Sequence, residues 1–373
     1  MPLLSYGRDA AVWVHGRLQE IIEASGREDA TVRYFEHAWA QPSVVARVEG
    51  RSNTTVILST HLDSLNLHLP MLLPAPGAND NAAGVAALLS VFHTLLTPPS
   101  GSETTPLKFA NTLEFHFYSA EEAGFWGSTD VFANYNQRHM DIHSVLQFDM
   151  IGGPPSSHNN NNDKNTNNGK PGEIMNREMG IVTDFVHSNY IQYIKLLANE
   201  YTSINAVETV CGYACSDHAA AIRFGYPGGL MTGGRLEESD SKDKTYSGGD
   251  YSHTADDTVE KLDKELIGEF VRFGVAWGVE LGFAELNTGG DGGWRGYTCD
   301  NGYPDGWMGS VRRFSAARAA DPAGFGLWIL VLLVMLGVAR PWEEFPVVMG
   351  FGRRVRRGVR TGYARLSTRE RVD

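Results

Sequence analysis

Cysteine is scarce in this sequence, with only three residues in a chain of 373. That number excludes a small disulfide-dense scaffold, which would need cysteine at a much higher density. Cys211 and Cys215 are close enough in sequence to form a small-loop disulfide, whereas Cys299 has no obvious partner. Spacing alone leaves two alternatives open for the pair, a disulfide or two buried thiols.

Positive charge is also in deficit, because 32 Lys and Arg stand against 44 Asp and Glu for a formal net charge of −12. The segment 340–373 holds nine Arg and four acidic residues, a net +5, so the rest of the chain carries −17. Such an acidic body argues against nucleic-acid binding. It is compatible with metal ions and with substrates that carry an amine.

The N-terminus, MPLLSYGRDAAVWV, lacks the apolar run and the cleavage site of a signal peptide. We therefore expect either a cytosolic protein or a start codon placed too far downstream. An apolar run of membrane length occurs at 323–339, AGFGLWILVLLVMLGVA, and a following basic RRVRR would put the C-terminus on the cytoplasmic side. A second interpretation of the same run, as translated intron or frame-shifted sequence, stays open.

Hydrophobic periodicity predicts strands that alternate with helices. Strands are expected at 54–60, 112–119, 145–150 and 229–231, and helices at 8–25, 80–96, 190–201 and 259–283. This alternation predicts a three-layer α/β/α architecture with a mostly parallel, mixed central sheet. The polar stretches 158–169 and 236–250 are expected to be loops. We expect a main domain at 1–285, a Gly-rich linker at 286–322, a transmembrane helix at 323–339 and an Arg-rich tail at 340–373.

Acidic and histidine side chains follow the predicted strands, where α/β sheets form their sites. They are His61, Asp63, Asp80, Glu121, Glu122, Asp149 and His253, the last of which precedes the final predicted helix. Each has an ordinary interpretation when taken singly, as a solvated loop histidine, a helix cap or an acidic pair at a helix start.

Taken together, these residues predict a metal site. Zinc binds His nitrogen and carboxylate oxygen, and two neighbouring ions need a bridging ligand with terminal ligands on each side. The chain offers one His with one Asp, a shared Asp, and one Glu with one His. Of the adjacent acids, one could bind metal while its neighbour serves as general base. Asp63, two residues after His61 on extended chain, would point the same way and orient the imidazole.

Six segments, HLDS, PGANDNAAG, SAEEAGFWGS, FDMIG, CGYACSDHA and YSHTADDT, occur in this order. They resemble the M28 family of co-catalytic zinc aminopeptidases, with most similarity to secreted bacterial and fungal leucine aminopeptidases, over about residues 10–285. The resemblance implies a zinc exopeptidase fold that binds two Zn²⁺ ions per chain. It also implies hydrolysis of the N-terminal bond of peptides and proteins, with apolar first residues preferred. We expect a monomer in the secretory pathway or outside the cell, with the segment 323–339 as a membrane anchor.

The resemblance also implies a role for each matching residue. Asp80 would bridge both ions, with His61 and Asp149 completing one site and Glu122 and His253 the other. Glu121 would be the general base, and Asp63 would join the catalytic group through His61.

Four more residues receive roles in the same way. Tyr213 would donate a hydrogen bond to the oxyanion of the tetrahedral intermediate. Met179 would line an apolar pocket for the first side chain, and Cys211 would pair with Cys215. Asp217 and His218 would lie outside the ligand set.

Three departures from the family pattern bear on localisation and processing. The chain lacks a leader, its Asn-rich stretch is long, and its tail after about residue 286 has no counterpart in the short secreted enzymes.

The functional alternatives are a glutaminyl cyclase with one zinc, a carboxypeptidase, and a catalytically inactive binding domain. A carboxypeptidase would need a cationic clamp, and no Arg-rich motif lies among the ligand segments. An inactive domain should have lost ligands or the base, and all are present.

Overall fold

The computed structural model describes residues 6–70, 72–97, 108–153, 177–236 and 251–286, all within one unit, Met1–Tyr303. The predictions for 158–169, 323–339 and 340–373, and almost all of those for 236–250 and 286–322, lie outside the described residues. No helix in the described ranges is both long and apolar enough to cross a membrane.

The described residues form eight strands and six α-helices. The strands are β1 (Ala30–Phe35), β2 (Ser43–Val48), β3 (Thr55–His61), β4 (Thr112–Tyr118), β5 (Ile142–Phe148), β6 (Glu178–Val182), β7 (Asn205–Thr209) and β8 (Gly228–Thr232). The helices are α1 (Tyr6–Ser25), α2 (Ala83–Leu96), α3 (Trp126–Gln137), α4 (Ser188–Tyr201), α5 (His218–Arg223) and α6 (Lys264–Phe283).

All eight strands belong to one mixed sheet, in the order β1-β2-β4-β3-β5-β8-β6-β7. Pairing is parallel between β4 and β3, β3 and β5, β5 and β8, and β6 and β7. It is antiparallel between β1 and β2, β2 and β4, and β8 and β6. The mostly parallel, mixed sheet that the sequence predicts is therefore confirmed.

Helices cover both faces of this sheet because its central strands are apolar on both sides. In β3, Val56 and Leu58 belong to a core shared with α1, α2, α4 and α6, whereas Ile57 faces a second core built with α3 and α5. All seven residues of β3 are buried. The resulting α/β/α arrangement confirms the predicted three layers.

Strand order reverses at β3, because β4 lies on one side of it and the later β5 on the other. In open α/β sheets such a switch point is where a site forms, outside the carboxyl ends of the strands. His61 ends β3, Ser119 directly follows β4, and Asp149 directly follows β5. These three chain segments therefore meet at one edge of the sheet.

Two helices begin later than the periodicity predicts. The helix expected from residue 80 begins at Ala83, after a wide turn, Ala78–Ala82, in which the peptide between Asp80 and Asn81 is cis. The helix expected from residue 259 begins at Lys264, where the Asp263 carboxylate accepts the first free backbone N–H groups. In both cases polar side chains bind the backbone groups that a longer helix would have used.

Candidate metal centre

The side chain of Asp80 lies between two histidines that are far apart in sequence. Its Oδ1 is 3.2 Å from His61 Nε2, and its Oδ2 is 3.1 Å from His253 Nε2. His61 Nε2 is also 3.3 Å from Asp149 Oδ1. His253 Nε2 is 2.9 Å from Glu122 Oε2. The structure thus brings together the five residues that the sequence suggests as metal ligands, with Asp80 at the centre.

These side chains fall into two groups that could each hold a metal ion. One consists of His61, Glu121 and Asp149, and the other of Asp80, Glu122 and His253. Within each group the candidate ligand atoms all lie within 4.8 Å of one another. Glu121, the residue suggested as general base, is therefore itself a member of the first group.

The donor set fits a pair of divalent cations. Four carboxylates and two imidazoles share a mostly buried space, and carboxylates at this density repel one another unless a cation offsets their charge. Glu122 Oε1 is buried without a hydrogen-bond partner in the described part of the chain. Imidazole nitrogen and carboxylate oxygen are the ligands that zinc takes in catalytic sites.

Electrostatic coupling raises the pKa of both imidazoles. Hydrogen bonds to Asp80 and Glu122 raise the pKa of His253 to about 11. Burial by itself would lower the pKa of His61, but the charges of Asp149 and Glu121 outweigh it and hold that pKa well above its usual value. Since a metal ligand must be neutral imidazole, an arriving cation displaces these protons.

Glu121 is almost fully buried, and this burial raises the pKa of its carboxyl well above the ordinary value. The neighbouring charge of Asp149 shifts it in the same direction, while His61 opposes the shift. A carboxyl with a raised pKa can take up and release a proton, which is what a general base requires.

Asp63 holds the two acidic residues by their main chain. Its Oδ1 accepts the N–H of Glu121 at 3.0 Å, and its Oδ2 accepts the N–H of Glu122 at 3.1 Å. The His61 Nδ1 atom lies 3.1 Å from the backbone carbonyl oxygen of Asp63 and 3.8 Å from its carboxylate. The imidazole is therefore oriented mainly by a carbonyl group, and the carboxylate positions the segment after β4.

Asp257 holds the main chain at Asp80, as Asp63 holds the main chain of Glu121 and Glu122. Its two oxygens accept the N–H groups of Asn79 at 2.8 Å and of Asp80 at 3.0 Å. Gly77 begins this turn with a φ of 61°, and a Cβ atom there would lie 2.7 Å from the Asp80 carbonyl oxygen. Sequence reasoning missed the role of Asp257, because its backbone partners lie 178 and 177 residues away in the chain.

Ser216 and a residue of β8 fix the position of Asp149. The Ser216 hydroxyl donates to Asp149 Oδ2 at 2.6 Å, and the Asp149 N–H donates to the Met231 carbonyl at 3.1 Å. Each oxygen of this carboxylate thus has a partner, one toward Ser216 and the other toward His61.

Comparison with known proteins identifies the family. The model of peptidase family M28 matches residues 43–276 of this chain. The chain belongs to peptidase family M28. Among curated proteins, this M28 chain is 38% identical to leucine aminopeptidase 1 of Trichoderma harzianum over 284 residues. The match covers 76% of this chain and 65% of that protein, so the chain spans about two thirds of its relative's length.

Solved structures agree with the fold of this M28 peptidase. The LapA aminopeptidase of Legionella pneumophila superposes with a TM-score of 0.59 at 24% identity, covering 74% of this chain and 64% of that one. A glutaminyl cyclase of Porphyromonas gingivalis gives a TM-score of 0.50 at 15% identity, covering 72% and 88%. At these identities the likeness establishes the shared architecture alone.

The loop after β7 in this M28 peptidase contains the predicted disulfide. The structure joins Cys211 to Cys215. The two oxygens of Asp184 accept the backbone N–H groups of Cys211 at 2.9 Å and Gly212 at 2.7 Å. Tyr213, between the cysteines, is 53% exposed. The loop is thus fixed at its base and presents Tyr213 to solvent.

Met179 lies on β6 and is fully buried in the larger core, against which Cys211 and Cys215 also pack. Its side chain is therefore beneath the surface of the described structure. The suggested role of Met179 in a pocket for the first side chain stays a prediction.

Asp217 and His218 are both fully buried at the start of α5. The Asp217 carboxylate accepts the Ser128 hydroxyl at 2.5 Å and the Gln147 amide at 3.2 Å. Neither ring nitrogen of His218 has a hydrogen-bond partner in the residues that the structure describes. Neither residue belongs to either of the two candidate ligand groups among the described residues.

Proposed function

We propose that this M28 peptidase is a metal-dependent aminopeptidase that hydrolyses the N-terminal peptide bond of peptides and proteins with two zinc ions. The observation that carries the proposal is the position of Asp80, whose two oxygens face the imidazoles of His61 and His253. Asp80 would bridge the two ions. His61 and Asp149 would complete one site, and Glu122 and His253 the other.

When bound, zinc acts as a Lewis acid on the substrate carbonyl and lowers the pKa of water. Glu121 then takes the proton from the attacking water and later delivers it to the leaving amine. Asp63 holds Glu121 by its backbone N–H at 3.0 Å, which fixes the base relative to the scissile bond. Such positioning converts the attack into an effectively intramolecular step.

Tyr213 is the residue that we propose as hydrogen-bond donor to the oxyanion. Its loop reaches the metal ligands, because Ser216, five residues after Cys211, donates to Asp149. Met179, buried in the core against which the two cysteines pack, would form the floor of an apolar pocket for the first side chain. This pocket is the basis for the proposed preference for apolar N-terminal residues.

Substitution of Glu121 by Gln tests the general-base assignment. The amide keeps the size of the side chain but cannot accept the proton, so we expect kcat on Leu-p-nitroanilide to fall by about 100-fold or more. Zinc content, measured by elemental analysis, should stay at the wild-type level. Wild-type turnover by a Glu121→Gln protein with normal zinc would overturn the assignment.

Metal stoichiometry separates the proposal from its alternative, a glutaminyl cyclase with a single zinc. The two ligand groups support two ions per chain. Release of p-nitroaniline from a panel of aminoacyl-p-nitroanilides, lost with a chelator and restored by zinc, supports the aminopeptidase. One zinc per chain with cyclisation of N-terminal glutamine would favour the cyclase.

The disulfide between Cys211 and Cys215 supports an oxidising compartment, because disulfides are rare where thiols are kept reduced. We propose that the protein acts outside the cell or in the secretory pathway, as a monomer, on peptides with a free N-terminus. Membrane attachment through 323–339 stays a prediction.

A further inference from the structure

The loop that connects β3 to the Asp80 turn is unusually apolar. We call its described residues, 62–70 and 72–77, the leucine loop. The exposed fractions of four of its leucines are 63% for Leu67, 51% for Leu69, 80% for Leu72 and 42% for Leu73. Neighbouring exposed apolar side chains on a protein surface mark sites that bind a ligand, a partner protein or a membrane.

Hydrogen bonds within the leucine loop hold its conformation. Asn66 is buried, its amide donates to the Pro74 carbonyl at 2.9 Å, and its side-chain oxygen accepts the His68 N–H at 3.0 Å. The Ser64 hydroxyl donates to the Ala75 carbonyl at 2.7 Å. These hydrogen bonds tie the two limbs of the loop together. The leucines are therefore presented in a fixed arrangement, which lowers the entropic cost of binding.

The loop lies at the rim of the metal centre. It begins directly after His61 and ends three residues before Asp80, so a proposed ligand lies close to each of its ends. The N–H of Leu67 donates to the carbonyl of His253 at 3.0 Å, which ties the loop to the ligand segment before α6. Leu67, the first of the exposed leucines, thus adjoins the side of the centre that contains His253.

The loop of Tyr213 contacts a different ligand, because Ser216 donates to Asp149. Under the proposed function, the first residue of the substrate sits beside the Tyr213 loop. The rest of the peptide must then leave the centre elsewhere, and the leucine loop at the His253 side offers it an apolar surface.

We infer that the leucine loop binds apolar side chains of the peptide substrate on the C-terminal side of the scissile bond. This inference rests on the proposed aminopeptidase function. It makes the loop a specificity-determining element, and it predicts that the enzyme prefers peptides with apolar residues after the cleaved bond.

Two peptides with the same scissile bond test the inference, Leu-Ala-Leu-Phe-Gly and Leu-Ala-Gly-Gly-Gly. Initial release of the first leucine is followed by mass spectrometry in the zinc-loaded wild type and in Leu67→Gln and Leu72→Gln. Burial of one leucine side chain is sufficient for about a tenfold effect on kcat/KM. We expect the wild type to favour the apolar peptide about tenfold, and each variant to lose most of that preference.

Leu196→Gln is the matched control, because Leu196 lies on α4 and is 64% exposed, like Leu67. It should keep the wild-type preference. Leu-p-nitroanilide, which carries only its aromatic leaving group beyond the scissile bond, should be hydrolysed at similar rates by the wild type and by Leu196→Gln. Absence of that hydrolysis in the wild type would refute the proposed function itself.

Three other results would overturn the inference while the p-nitroanilide is still cleaved. The first is equal rates on the two peptides in the wild type, and the second is a preference that survives both loop substitutions. The third is that Leu72→Gln abolishes binding to phosphatidylcholine vesicles, or abolishes a dimer, while the peptide preference does not change. That result would assign the leucines to a membrane surface or to a second copy of the chain.

Discussion

His218 gives the fold a sensitivity to acid that can be measured. Its imidazole is fully buried, and this burial lowers its pKa to about 3. In the unfolded chain a histidine titrates near the ordinary value of about 6.5. As the pH falls, the unfolded chain therefore takes up the proton first. The stability that His218 contributes is fully present above pH ~6.5 and is lost as the pH falls toward ~3.

The size of this loss follows from the two pKa values. Over the whole range the difference corresponds to roughly 5 kcal/mol in the free energy of unfolding, and about 2 kcal/mol of it is lost between pH 7 and pH 5. Replacement of His218 by Gln or Leu removes the titrating group. The variants should therefore lose about 2 kcal/mol less than the wild type between these two pH values.

Urea unfolding at pH 7 and pH 5, at equal zinc saturation, measures this difference. Taking the difference between variant and wild type cancels the other titrating groups that the two proteins share. His93→Gln, at an exposed position on α2, is the matched control and should follow the wild type. If His218→Gln and the wild type lose the same stability between pH 7 and pH 5, the reasoning from burial is wrong.

Two further predictions concern the metal centre. Asp63→Asn keeps one acceptor oxygen, but its amide NH₂ group would face the backbone N–H of either Glu121 or Glu122, which then loses its acceptor. We therefore expect the free energy of unfolding in urea to fall by roughly 1–3 kcal/mol. The kcat of this variant should fall more than its KM changes. Unaltered kcat and KM would show that Asp63 has no part in catalysis. Removal of metal by a chelator should lower the Tm, since zinc at 100 times its Kd stabilises the folded state by about 2.7 kcal/mol. Readdition of zinc should restore the Tm, and a Tm indifferent to the chelator would count against the metal centre.

The centre of the sheet could be predicted from sequence because its strands are buried on both faces. β3, β4 and β5 are each apolar enough to stand out from their surroundings, and the polar residues that follow them mark the carboxyl edge. The edge strands β1 and β7 were missed. Their burial patterns mix exposed and half-buried positions, so no run of apolar residues separates them from loops.

α3 and β2 were missed for different reasons. α3 contains mostly polar and small residues, and only one side of it, including Val131, Phe132 and Tyr135, packs against the sheet. β2 is an apolar run, Ser43–Val48, with five of its six residues buried, and its composition was a sufficient signal.

The proposed ligand residues stand out in the sequence, whereas most of the residues that hold this region together do not. A metal ligand needs a particular type of side chain at the end of a strand, and both features can be recognised in the amino-acid sequence. Asp257, Asp184 and Ser216 act through hydrogen bonds to segments 27 to 178 residues away, and such partners depend on the folded topology. In sequence, an aspartate that binds backbone N–H groups looks the same as one on a solvated surface.

The carboxylates of Asp63 and Asp257 each accept hydrogen bonds from two successive backbone N–H groups, so hydrogen bonds within the protein hold the segments that carry Asp80, Glu121 and Glu122. We therefore expect these segments to keep their positions when the metal ions are removed. Exchange of zinc for cobalt or another divalent ion should then proceed at room temperature, without denaturant, in the native protein. Because these backbone hydrogen bonds involve no metal, we also expect activity to return when zinc is added back to the chelated protein, with no refolding step.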